Sequence, residues 1–158
     1  MSTTRQKSNG SPHAQQEHIE SALKSMSPAE IIEFDRFYRT LHYKAYAWNL
    51  WAAAYIVNGG CSDDCFSDFR GWLIGQGEKV YHKALANPDS LADVENLERD
   101  MDWEGYGYLA ITVYEQVTGQ VMPMPAVGHP AEPTGEEWEE DEAELSALLP
   151  KLFEKFGC

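Results

Sequence analysis

The 158-residue sequence predicts a mainly α fold, a small single-domain helical bundle with a proline-rich strap and a C-terminal helix. Three observations carry this expectation. Apolar residues recur at steps of three and four over long stretches, the period of a helix with one buried face. Start and stop signals bracket those stretches: Ser27-Pro28-Ala29-Glu30 and Ser62-Asp63-Asp64 ahead of them, Asn58-Gly59-Gly60 and Gly119 behind. No segment shows strand alternation bounded by hairpin turns. A chain of this length also suits one domain with a substantial core.

Taken in order, residues 1–12 are polar and rich in Ser, Thr and Gly, the composition of a disordered tail, which leaves 13–158 as the domain. Helical text runs from His13 to about Gly119. Ser27 accepts from the amide of the third helical residue, Pro28 suits the first helical position, and Glu30 reaches back to complete a capping box. Ile31, Phe34, Tyr38, Leu41, Ala45, Trp48, Ala52 and Tyr55 then form one stripe, on one long helix or on two with a kink near Trp48. Small residues at Ala45, Ala47, Ala52, Ala53 and Ala54 let a neighbouring helix approach closely. Ser62 caps the next helix, whose acids Asp63 and Asp64 suit the positive end of its dipole. Phe66, Phe69, Trp72 and Leu73 form its inner face, and Gly75-Gln76-Gly77 ends it.

Val80, Tyr81, Ala84 and Leu85 indicate a short helix that stops before Asn87-Pro88, and Ser90 to Asp93 a further turn or two. Tyr106 to Val117 is helical again, with Leu109 and Val113 inward. Four prolines between Met122 and Pro133 break regular structure, so residues 120–135 are expected to run over the surface as an extended strap, with Trp103, Tyr106, Tyr108 or Trp138 beneath it. Leu145, Leu148, Leu149, Leu152, Phe153 and Phe156 form a last amphipathic segment that Pro150 bends or splits.

Acids outnumber bases by 26 to 12, a net charge of −14. Half of it lies in residues 132–158, where nine acids meet two bases. Such a surface repels phosphate backbones and anionic lipid, so neither nucleic acid nor membrane is an expected partner. The N-terminus has no apolar core of a secretory signal, and the longest apolar run, Ala45 to Val57, is interrupted by Asn49 and too short to cross a bilayer. A cytoplasmic location follows as the expectation. Cys61 and Cys65 lie near each other across a helix start, yet a reducing compartment argues against a structural bridge there. With no second cysteine pair and scattered histidines, no metal and no cofactor are expected.

Trp48 to Gly77 is the densest segment. It contains Trp48-Asn-Leu50-Trp51-Ala-Ala53-Ala54-Tyr55, then Asn58-Gly59-Gly60-Cys61-Ser62-Asp63-Asp64, then Phe69-Arg70-Gly71-Trp72-Leu73. With Phe34-Asp35-Arg36, Pro88-Asp89-Ser90-Leu91-Ala92 and Leu149-Pro150-Lys151-Leu152, this pattern resembles an uncharacterised bacterial family of domains of unknown function. The resemblance implies a bacterial, cytosolic, single-domain protein and brings no established activity or catalytic residues.

The Gly59-Gly60 turn is a poor phosphate cradle, because Ser62, Asp63 and Asp64 compete for the helix amides and repel an anion. It is equally poor as a calcium loop, since Asp63, Asp64 and Asp68 lack the alternating spacing and the closing glutamate. Asp35 and Arg39 stand four apart in the favourable order for a helical ion pair, and Arg70 flanks the Trp72 face. A buried charge needs a partner, so this set reads as a structural clamp between two helices or as a polar pocket. The candidate pocket comprises Asp35, Arg39, Trp48, Trp51, Asn58, Asp63, Asp64 and Arg70, with Tyr38 and Tyr55 beside it. Two functions are weighed. The first is an acidic protein-binding or regulatory module for a basic protein, inhibitor- or immunity-like by analogy. The alternative is a small enzyme or ligand-binding protein built on Asp35, Arg39 and Arg70. Oligomeric state is not legible.

Overall fold

The computed structural model describes residues 12–94, 97 and 106–157. Residues 1–11 of the expected tail and Trp103 lie outside that range, and Pro12 already opens the first helix. The helices are α1 (Pro12–Lys24), α2 (Pro28–Lys44), α3 (Trp48–Asn58), α4 (Asp63–Gly75), α5 (Glu78–Ala86), α6 (Leu109–Thr118), α7 (Glu142–Leu148) and α8 (Pro150–Phe156), with 3-10 turns at Pro88–Asp93 and Tyr106–Tyr108. Among the described residues there is no strand, and the molecule is a mainly α single domain.

α1 buries Gln15, Ile19 and Leu23, four apart along one face. Gln15 is fully enclosed, and its Nε2 donates to the carbonyl of Gly75 at 2.6 Å, tying α1 to the end of α4. α2 begins with the capping box, Ser27 and Glu30 serving each other's backbone, and buries Ile31, Asp35 and Tyr38. It packs on α6, which also covers α1.

The single stripe expected from Ile31 to Tyr55 does not continue as one helix. The chain leaves the helix after Lys44, Ala47 is extended, and α3 starts at Trp48. The backbone groups released there pair with the strap: the Thr134 amide donates to the Tyr46 carbonyl and the Trp48 amide to the Thr134 carbonyl, both at 2.9 Å. Beyond this break the burial pattern changes. α3 is the central helix, enclosed at Leu50, Ala52, Ala53, Ala54, Ile56 and Val57, and the three consecutive alanines let its neighbours approach from several sides. α4, α7, α8 and the Pro88–Asp93 turn all pack on it. Gly59, in the left-handed region at φ 72°, ends α3, as Gly119 at φ 70° ends α6.

The strap follows α6. Met122 is buried at its start, His129 lies edge-on to Tyr43 and tilted against Tyr46, and Trp138 just beyond its end donates to the Trp48 carbonyl at 2.7 Å. Pro150 splits the last segment, standing at the first turn of α8. α8 has no cap of its own. Its first amides are taken by buried Asp89, whose carboxylate accepts from Lys151 at 3.1 Å and Leu152 at 2.9 Å.

Candidate functional site

The C-terminal half of α2 and the N-terminal half of α4 enclose a cleft of about 600 Å³, completed by Gly107 and Tyr108 ahead of α6 and by His129 from the strap. α2 supplies Tyr38, Arg39, His42 and Tyr43, at one helical turn's spacing. α4 supplies Asp63, Asp64, Ser67, Asp68, Arg70 and Gly71. Two helix faces thus present polar side chains to the same space, while their opposite faces enter the core.

Arg70 forms the floor. It is 3 % exposed, and the faces of Tyr46 and Phe66 lie 4.6 and 4.7 Å from its guanidinium carbon. Nη1 donates to the His42 carbonyl at 3.1 Å and Nε to the Phe66 carbonyl at 3.4 Å. Among the described residues these carbonyls engage two of its five N–H donors, and no carboxylate comes within ion-pair distance. Burial lowers its affinity for the proton, against which Tyr46 and Asp63 act in the other direction.

Asp35 and Arg70 therefore do not pair across the two helices, and Arg70 ties α4 to α2 through the His42 carbonyl instead. Asp35, 1 % exposed, pairs along its own helix with Arg39, Oδ2 to Nε at 2.6 Å. Burial tends to lower the Arg39 pKa, but Asp35 and Tyr43 raise it overall. Asp35 sits beneath Arg39 and does not line the cleft itself.

His42 is held below the usual histidine range, at about 4, by burial and then by Arg70, His129 and Arg39, while its contact with the Ser67 carbonyl acts in the other direction. It is neutral near pH 7. Its Nε2 lies 2.9 Å from that carbonyl, which only accepts, so Nε2 carries the proton. The Ser67 hydroxyl, 3.4 Å from the same nitrogen, has no base there to receive its proton. Ser67 and His42 do not form an activated nucleophile.

Of the residues singled out from sequence, Arg39, Asp63, Asp64 and Arg70 line the cleft with Tyr38, and Tyr43, which the sequence did not single out, lies beside them. Trp48, Trp51 and Asn58 lie elsewhere. Trp51 stacks on Phe66 at 4.9 Å and on Trp48 at 5.4 Å, and its indole donates to the Cys61 carbonyl. Trp138 meets Trp48 and Tyr55 edge-on. Asn58 donates to the Cys65 sulfur at 3.3 Å. His42, Ser67, Asp68, Gly71, Gly107, Tyr108 and His129 were not anticipated. The available signal was the i, i+1, i+4, i+5 spacing of Tyr38, Arg39, His42 and Tyr43, repeated at Asp63, Asp64, Ser67 and Asp68.

The expectation against a bridge between Cys61 and Cys65 is also corrected, for the two are disulfide-bonded. Cys61 stands just ahead of the N-cap Ser62, and Cys65 is the third helical residue. The turn brings their Cα atoms to 5.3 Å, within the span of a disulfide. The bridge brackets Ser62, Asp63 and Asp64. Among the described residues, no group of three or more His, Cys, Asp or Glu side chains is placed to hold a metal ion, and no helix is long and apolar enough to cross a membrane.

Fold and cleft together define a small helical domain with a charged recess of ligand size. The chain belongs to the family described as protein of unknown function (DUF4240), whose model matches residues 1–116. The match takes in both cleft helices and stops before the strap, α7 and α8. No curated protein and no solved structure matches the chain.

Proposed function

We propose that the protein binds a small polar ligand in the cleft between α2 and α4, with Arg70 holding an anionic group of that ligand. One observation carries this reading: a buried guanidinium, without a carboxylate partner among the described residues, faces a recess of about 600 Å³. Enclosing a cation this deeply is costly unless something compensates it. Tyr46, Phe66 and two carbonyls hold Arg70 in place but do not neutralise it. A carboxylate, phosphate or phosphonate entering the cleft supplies the missing charge and accepts from the remaining donors. A ligand that binds only the folded chain raises its melting temperature. The test is a thermal-shift screen of small carboxylates and phosphate monoesters against the wild type and Arg70→Lys. The reading expects anions that stabilise the wild type and stabilise Arg70→Lys much less. Equal shifts in both, or none in either, contradict it.

The acidic run supports a second reading, binding of a basic protein. Glu136, Glu137, Glu139, Glu140 and Asp141 are exposed. Thr134 and Trp138 fasten their backbone to the α2–α3 junction, so the acids are displayed at a fixed place. Replacing Glu136, Glu137, Glu139 and Glu140 by Gln is expected to weaken binding of a lysine-rich peptide, and salt to weaken it further. Undiminished binding removes this reading and leaves the cleft untouched.

A further inference from the structure

We infer that the ligand of the cleft is a small zwitterion, its anionic group on Arg70 and its cationic group on Asp63 and Asp64. This rests on the reading of the cleft as a ligand site. The recess carries its charges at two depths. Arg70 is enclosed at the floor, whereas Asp63 and Asp64 are exposed at the mouth, on the first turn of α4. Asp63 acts on Arg70 through space without closing to an ion pair, so opposite charges face one cavity across a gap.

The other charged groups of the lining do not remove this polarity. Arg39 is matched by Asp35 beneath it, and His42 is neutral. Asp68 also lines the cleft on the α4 side. A polyanion such as a nucleoside triphosphate would set several negative charges against these carboxylates in a chain already at −14. A simple cation would leave Arg70 uncompensated. A molecule with one charge of each sign matches both ends.

The mouth is also fixed in place before any ligand arrives. Ser62 accepts from the Cys65 amide, so it serves as the N-cap and the two carboxylates are not needed for capping. The Cys61–Cys65 bridge closes around Ser62, Asp63 and Asp64, which lowers the entropy lost when a ligand is held there.

The experiment is calorimetric titration of the full chain with two ladders of probes, ω-aminoalkanoates from β-alanine to 6-aminohexanoate and the corresponding aminoalkylphosphonates. Alkanoates, alkylphosphonates and alkylamines of matching length are the single-charge controls. At least one zwitterion is expected to bind about tenfold more tightly than both of its controls. Whether it comes from the carboxylate or the phosphonate ladder identifies the anionic group. In the Asp63→Asn/Asp64→Asn double variant, its affinity should fall to that of the anionic control. Those positions are exposed, and near-ultraviolet circular dichroism of the tryptophans checks that the fold persists. Arg70→Lys should weaken zwitterions and anions together. If the anionic control binds as tightly as every zwitterion, the inference is overturned and the cleft reading survives. If no probe binds, or the amine alone binds as well as any zwitterion, both are overturned.

Discussion

Arg70 exchanges water for two backbone carbonyls and the faces of Tyr46 and Phe66, and its position in α4 turns that buried charge toward a cavity. The same arrangement sets the state of His42. Burial, followed by Arg70, His129 and Arg39, holds its folded pKa at about 4, against 6.5 for an unperturbed histidine. Below pH 6.5 the unfolded chain therefore takes up this proton more readily than the folded one. Stability from His42 is complete above pH 6.5 and lost as the pH falls toward 4, by about 3 kcal/mol in all. Urea unfolding at pH 7 and pH 4.5 should show a smaller acid loss in His42→Asn than in the wild type. Equal losses would refute this assignment. Asp89 makes a separate prediction. It caps α8 from another part of the chain, and charge-assisted bonds to two amides are at stake. Asp89→Ala should lower stability by about 2 kcal/mol in the same unfolding measurement. At this scale the sequence exposed Asp35, Arg39 and Arg70 through their position beside apolar stripes. It did not expose the partner of Arg70, because a backbone carbonyl has no sequence signature.

The helices themselves were the most legible feature. Ser27 and Ser62 announce their caps, Gly59 and Gly119 their stops, and Pro150 its break, because each acts through local backbone chemistry. The break between α2 and α3 was legible only as a possible kink. Its cause is Thr134, almost ninety positions away, which takes the backbone groups that a continuous helix would have used. The disulfide departs from the sequence expectation for a different reason. Its geometry follows from the turn into α4, whereas the expectation rested on an assumed compartment. A bridge across five residues should contribute about 2 kcal/mol by restricting the unfolded chain. Chemical denaturation with and without a phosphine reductant measures it, with Cys61→Ala/Cys65→Ala as the reference. Reduction should destabilise the wild type and leave the double variant unchanged.

Across the whole molecule, the net charge of −14 divides into an acidic C-terminal sixth and a moderately acidic bundle. That sixth is also structural, since Thr134 and Trp138 sit within it and fasten the strap. Deleting residues 132–144 is therefore expected to lower the melting temperature, whereas the four Glu→Gln replacements leave it nearly unchanged. Scanning calorimetry separates the two. The mainly α class was readable from periodicity, and four of the eight residues chosen for the polar pocket line the cleft. Trp48 and Trp51 went instead to an aromatic stack, and Asn58 to the Cys65 sulfur, since one-dimensional density does not tell which face of α3 meets which neighbour. The most direct measurement follows the Arg70 Nε–H resonance of the 15N-labelled protein during titration with acetate and with inorganic phosphate. A saturable shift centred on Arg70, with smaller shifts at Gly71 and Tyr108, is the predicted result. An Arg70 signal that stays fixed through both titrations would contradict an anion site at the floor of the cleft.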